Sequence, residues 1–128
     1  MIEKYINTDE DFSVEVKLDI DEDVKTYPWL FSLFIEAKLD EKTQDEIIRI
    51  VEKKPFVEYV GMLFIDGWSE LYFYSLNSKN LQKEVYAYLK QEGLKCEGGV
   101  VKDAKWDFYR GNLEPSETQY FMIESQKI

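Results

Sequence analysis

The sequence contains no histidine and a single cysteine, Cys96. Without histidine, the Ser/His/Asp and Cys/His nucleophilic systems in their usual form are excluded. One cysteine permits no internal disulfide, which fits a reducing compartment, and with histidine missing it leaves too few ligands for a structural zinc site. Basic residues are also scarce: 16 against 26 acidic ones, a formal net charge of −10. Such a field repels phosphate and anionic head groups, so neither nucleic acid nor membrane is an expected partner. No stretch approaches the roughly 20 apolar residues that span a bilayer. The opening MIEKYINTDEDF is acidic and lacks the apolar run of a signal peptide, so a cytoplasmic location is expected. Carboxylates, lysines and tyrosines are what remains for catalysis. No cofactor, no metal and no enzymatic activity are expected from this inventory.

Aromatic residues, by contrast, make up 16% of the 128 residues and hydrophobic residues 45%. That is enough apolar surface for one domain, residues 1–128, with an aromatic-rich core. The acidic excess is uneven. Residues 1–40 hold eleven acids and four lysines, a net −7, so most of the negative field belongs to the first third.

Hydrophobic periodicity predicts the elements. SVEVKLDI (13–20) alternates, placing Val14, Val16, Leu18 and Ile20 on one face of a half-buried strand. DEDVKTYP is an acidic loop closed by Pro28. WLFSLFIEA (29–37) reads as a central strand, with Trp29, Phe31, Leu33, Ile35 and Ala37 on one side and Leu30, Ser32, Phe34 and Glu36 on the other. Asp40 can cap a helix over 41–54 whose short apolar face is Ile47, Ile48 and Val51, with Pro55 as the stop. FVEYVGMLFID and WSELYFYS form a hairpin around Asp66 and Gly67. Ser78 can cap a second helix over 79–92, carrying Leu81, Val85, Tyr88 and Leu89 and ended by Gly93. LKCEGGVV (94–101) is the last strand, interrupted at Gly98-Gly99 by a bulge, and Ser116 can cap a short terminal helix. The expected fold is α+β: a ferredoxin-like βαββαβ antiparallel sheet with two helices on one face, an extra N-terminal strand and a C-terminal capping segment.

Three segments, YPWLFSLFI (27–35), YVGMLFIDGWSELYFYS (59–75) and KWDFYRGNLEP (105–115), resemble the signature segments of the bacterial family called domain of unknown function 695. The resemblance extends over about residues 14–123. The third segment is the most specific, because a tryptophan followed by Phe-Tyr and then Leu-x-Pro is a rare combination. Met62, Leu63, Phe64 and Ile65 replace a more polar pattern. The family has no agreed activity. It is in turn distantly similar to the regulator of ribonuclease E activity, type B, a small acidic inhibitor, which implies a ferredoxin-like fold.

Three features are candidates for function. In WDFYRGNLEP, Trp106, Phe108 and Tyr109 can staple the C-terminal segment to the sheet, with Pro115 leading into the terminal helix; alternatively Tyr109 and Arg110 anchor a partner. The run Asp19, Asp21, Glu22 and Asp23 resembles a calcium loop in composition only. Counted from Asp19, the required glycine and glutamate positions are Val24 and Leu30. The run is either a solvated loop or a docking surface for a basic partner. On the second hairpin strand, Leu71 and Phe73 alternate with Trp68, Glu70, Tyr72 and Tyr74, so Trp68, Tyr72 and Tyr74 line the face away from the helices. The simpler account is that the extra first strand or the C-terminal segment covers these rings; left open, the face can bind a protein or stack the bases of single-stranded RNA, although no basic, glycine-bearing RNA-binding pattern accompanies it. Cys96 is expected to be a small buried hydrophobe. The leading expectation is a non-catalytic inhibitor, immunity protein or regulator of a basic, nuclease-like partner. A carboxylate-based enzyme and an RNA binder are the alternatives.

Overall fold

The structure, a computed structural model, describes residues 2–6 for their backbone and residues 12–115 in full. Ten elements follow one another: strands β1 (Ile2–Ile6) and β2 (Phe12–Lys17), a 3-10 turn (Val24–Thr26), β3 (Trp29–Ile35), helix α1 (Glu41–Glu52), β4 (Val57–Ile65), β5 (Trp68–Ser75), α2 (Lys83–Gln91), β6 (Cys96–Lys102) and a π-helical turn (Tyr109–Leu113). The six strands form one antiparallel sheet in the order β1-β2-β4-β5-β3-β6. Two strands therefore precede β3 where the sequence reading has one. β1 pairs along its whole length with β2, Ile2 opposite Lys17 and Ile6 opposite Ser13.

Strand alternation sorts the apolar residues into two cores. On one face, Phe31, Leu33 and Ile35 of β3 and Leu71 and Phe73 of β5 pack against Ile47 and Val51 of α1, Val85 and Leu89 of α2, and Leu81. Leu30 of β3, Tyr72 and Tyr74 of β5, and Val14 and Val16 of β2 point the other way. They are covered by Ile20, Val24, Trp106, Tyr109 and Leu113. Each fully buried aliphatic or aromatic side chain contributes about 1.5–3 kcal/mol, so a sheet with aromatics on both sides gains from both coverings.

Local chemistry explains most of the boundaries. Asp40 caps α1 by accepting the Thr43 N–H at 2.7 Å, and hydrogen bonding from the Thr43 side chain, followed by that backbone bond, lowers its pKa. Asp66 and Gly67 both adopt positive φ, 49° and 87°, the backbone of a tight hairpin turn with right-handed twist. α2 ends at Gln91 and is closed off by Gly93 at φ 73°, where the Leu94 N–H donates to the Leu89 carbonyl at 2.9 Å and the Gly93 N–H donates to the Lys90 carbonyl at 3.1 Å. This is the paired closure that a left-handed residue permits.

Three expectations are corrected. α2 begins at Lys83, and Ser78 does not cap it: Asn80 sits at φ 57°, a left-handed residue that no right-handed helix can include. β2 stops at Lys17, because the Ile20 N–H turns back to the Leu18 carbonyl, although Ile20 still reaches the core. The irregularity expected at Gly98-Gly99 is absent from β6, whose register with β3 runs unbroken from Cys96 to Lys102. It lies in β4 between Tyr59 and Gly61. Gly98 instead lets the strands approach closely, since a Cβ there would collide with the Ser32 carbonyl oxygen. The terminal helix expected after Ser116 lies outside the described residues.

Candidate functional site

The segment after β6 turns back under the sheet, and its bonds show how. The Asp103 N–H donates to the Pro28 carbonyl at 2.7 Å, and the Trp106 N–H donates to the Asp103 carbonyl at 2.9 Å. Trp106 takes φ 60°, costly for a bulky residue. The conformation is held because the Asp103 carboxylate accepts the N–H groups of Asp107 (3.1 Å) and Phe108 (3.0 Å), as a capping aspartate does. The chain then winds through the π-helical turn, which buries Tyr109 and Leu113.

These turns lay the motif's rings on the outer face of β5. Trp106 stacks on Tyr74 with centroids 3.9 Å apart and planes 12° from parallel, and its indole N–H donates to the Tyr27 carbonyl at 2.9 Å. Phe108 lies 4.3 Å from the Tyr72 ring. The Tyr109 hydroxyl donates to the Lys17 carbonyl at 2.6 Å. Tyr72 and Tyr74 are accordingly buried, at 4% and 0% exposure. Burial raises both phenol pKa values, helped by the carboxylates of Glu70 and Asp103 that accept their protons. Trp68, half-buried, pairs with Ile65 at the far end of the hairpin. The three aromatics of this face thus form no common exposed surface: two of them are the floor on which Trp106 and Phe108 rest. Pro115 is buried where this segment ends.

Asp19, Asp21, Glu22 and Asp23 are all exposed. Their loop is anchored by Ile20 and Val24, which enter the outer core, and by the 3-10 turn in which the Thr26 hydroxyl donates to the Asp23 carbonyl at 2.6 Å. Glu22 meets Lys25 at 3.3 Å, a surface pair of small energetic weight. The four acids are therefore presented on a fixed support.

Between this loop and the C-terminal segment lies a cavity of about 210 Å³, lined by Leu18, Lys25, Ala104, Lys105, Trp106, Tyr109, Arg110 and Glu114. It gathers three cations and one carboxylate in a chain whose net charge is −10. Sequence reasoning missed it, because Lys25 and Lys105 lie eighty positions apart and Arg110 stands out only as part of an aromatic motif. A second, open depression on α1 carries Asp40, Glu41, Asp45 and Glu46 with Lys42 and Arg49. Here Thr43 lowers the pKa of Asp40, and Arg49, which bonds Glu46, lowers that of Glu46. This is the opposite of the upward shift that a general acid needs.

Cys96 is partly exposed and packs at the margin of the inner core, where burial raises its thiol pKa. Among the described residues, no group of three or more potential metal ligands comes together, and no helix is long and apolar enough to cross a membrane.

A family model described as a family of unknown function (DUF695) matches residues 35–113. The matched stretch runs from the end of β3 to the last residue of the π-helical turn. It includes Lys105, Trp106, Tyr109 and Arg110 and stops short of the acidic loop. It is narrower than the span expected from the sequence, about residues 14–123. No curated protein and no solved structure matches the chain.

Proposed function

Because the chain belongs to DUF695, a family whose function is not established, we propose a role for it from its own residues: a non-catalytic domain that binds a basic protein partner. An inhibitor, an immunity protein or a regulator of a nuclease-like enzyme would all fit. The observation that carries this reading is the acidic loop: Asp19, Asp21, Glu22 and Asp23 all face solvent on a support tied into the core. Clustered exposed charge steers a complementary partner and raises its association rate. The aromatic positions Tyr72 and Tyr74 contribute indirectly, as the floor under the segment that holds the loop's neighbours. The path β3-α1-β4-β5-α2-β6, with neighbours in the order β4-β5-β3-β6, supports a ferredoxin-like reading of the sheet, with β1 and β2 added at one edge. A distant kinship to the ribonuclease regulator, and with it a cytoplasmic setting, belongs to the same proposal.

The test is capture of partners from host lysate by the full chain and by an Asp19→Asn/Asp21→Asn/Glu22→Gln/Asp23→Asn variant, at low and moderate salt. A basic protein held in stoichiometric amount by the parent chain, released by salt and lost in the variant supports the proposal. A partner retained equally by both chains removes the acidic loop from the interface.

A further inference from the structure

The cavity between the acidic loop and the C-terminal segment has chemistry that the docking reading leaves unused. We propose that it binds a small molecule carrying a phosphate monoester, held by Arg110 and Lys105 with Lys25 at the rim. Three observations carry this. The first is charge: Lys25, Lys105 and Arg110 against Glu114 leave the lining at +2, or +1 once the Glu22 carboxylate paired with Lys25 is counted, a net attraction for a phosphate monoester of −1.5 to −2 at neutral pH. The second is availability. Among the described residues the ion pairs are Lys17 with Glu58, Lys25 with Glu22, Arg49 with Glu46 and Lys54 with Glu84. Lys105 and Arg110 enter none of them, so among the described residues neither side chain is tied to a carboxylate.

The third observation is shape. The back of the cavity is made by Leu18, Trp106 and Tyr109. Trp106 and Tyr109 are fixed by the stack on Tyr74 and by the bonds to Tyr27 and Lys17. A rigid apolar wall beside a planar guanidinium and an ammonium suits a ligand with an apolar body and an oxyanion head: the Arg110 fork can meet two oxygens, while Lys105 acts as a point charge. At about 210 Å³ the space is below the roughly 300–1,000 Å³ of drug-sized sites, which limits the ligand to about one ring beyond its phosphate. The overall negative charge does not forbid this. Charges farther off than about 8 Å are largely screened at physiological salt, whereas groups in contact with the ligand are not.

The experiment uses the full chain at physiological salt, followed by backbone and indole amide NMR. It is titrated separately with phenyl phosphate, inorganic phosphate and succinate. Saturable shifts confined to residues 18, 25 and 104–110, with phenyl phosphate binding more tightly than either of the others, are expected. Lys105→Gln and Arg110→Gln, both at exposed positions, should each weaken phenyl phosphate about tenfold, the loss of one charge-assisted hydrogen bond, without changing the unfolding midpoint. Shifts scattered over all lysines, affinity unchanged in both variants, or tighter binding of succinate than of phenyl phosphate would each overturn the proposal. The acidic loop's role in partner capture is read separately and is untouched by any of these outcomes.

Discussion

The Tyr74 hydroxyl donates to Asp103 Oδ2 at 2.6 Å and accepts the Tyr109 N–H at 3.3 Å. One phenol thus ties the centre of the sheet to both ends of the turn that carries the aromatic motif. Tyr74→Phe keeps the ring under Trp106 and removes only the oxygen, leaving the buried Tyr109 N–H short of that acceptor. A destabilisation of about 1–3 kcal/mol is expected, read from the denaturant midpoint at constant slope.

Trp106→Ala removes the ring that seals the outer core together with its bond to Tyr27. A loss of about 3–5 kcal/mol is expected, accompanied by exposure of Tyr74 to a collisional quencher. Unchanged protection of Tyr74 in the variant would show that Trp106 is not its cover.

Gly61 stands where β4 slips register, and a Cβ there would lie 2.6 Å from the Glu15 carbonyl oxygen and 3.2 Å from the Leu113 side chain. Because the nearest obstacle is backbone, Gly61→Ala should cost about 1–3 kcal/mol. An alanine at Gly99, where a Cβ meets nothing within 4 Å, should cost far less, and thermal melts of the pair make the comparison.

Burial raises the pKa values of Tyr59, Tyr72 and Tyr74 above the ordinary phenol value of 10.0. Above that pH the unfolded chain releases protons that the folded chain retains, so stability is full below about pH 10 and falls as pH rises further. In a titration at the phenolate absorbance band, the more exposed of the nine tyrosines should ionise first. Tyr59, Tyr72 and Tyr74 should ionise together with the loss of near-ultraviolet ellipticity.

Much of this arrangement can be read from periodicity and local chemistry. The alternation of β3 and β5, the Asp40 cap, the Asp66-Gly67 turn and the Gly93 stop all depend on neighbours within a few residues, and all are where the sequence puts them. The misplaced features answer to distant contacts. α2 starts late because Asn80 turns left-handed, and the register slip sits in β4, where Gly61 must clear Glu15 and Leu113. The candidate sites divide in the same way. Exposure of the acidic run can be guessed from its composition, but the joining of Lys25 to Lys105 and Arg110 cannot. It depends on Asp103, an ordinary-looking aspartate whose carboxylate accepts three bonds that aim the whole segment.

The outer core also bears on how the protein is made. Val60, Leu63, Tyr72 and Tyr74 of β4 and β5 form its middle, residues 12–30 supply one flank and residues 103–113 the other, the flanks bridged by Asp103 to Pro28, Trp106 to Tyr27 and Tyr109 to Lys17. A nascent chain halted before residue 103 would have its strands and both helices in hand, yet would show Leu30, Tyr72 and Tyr74 to the surrounding medium. Until those last residues emerge, that face is a sticky surface for which a chaperone must compete with other unfinished chains.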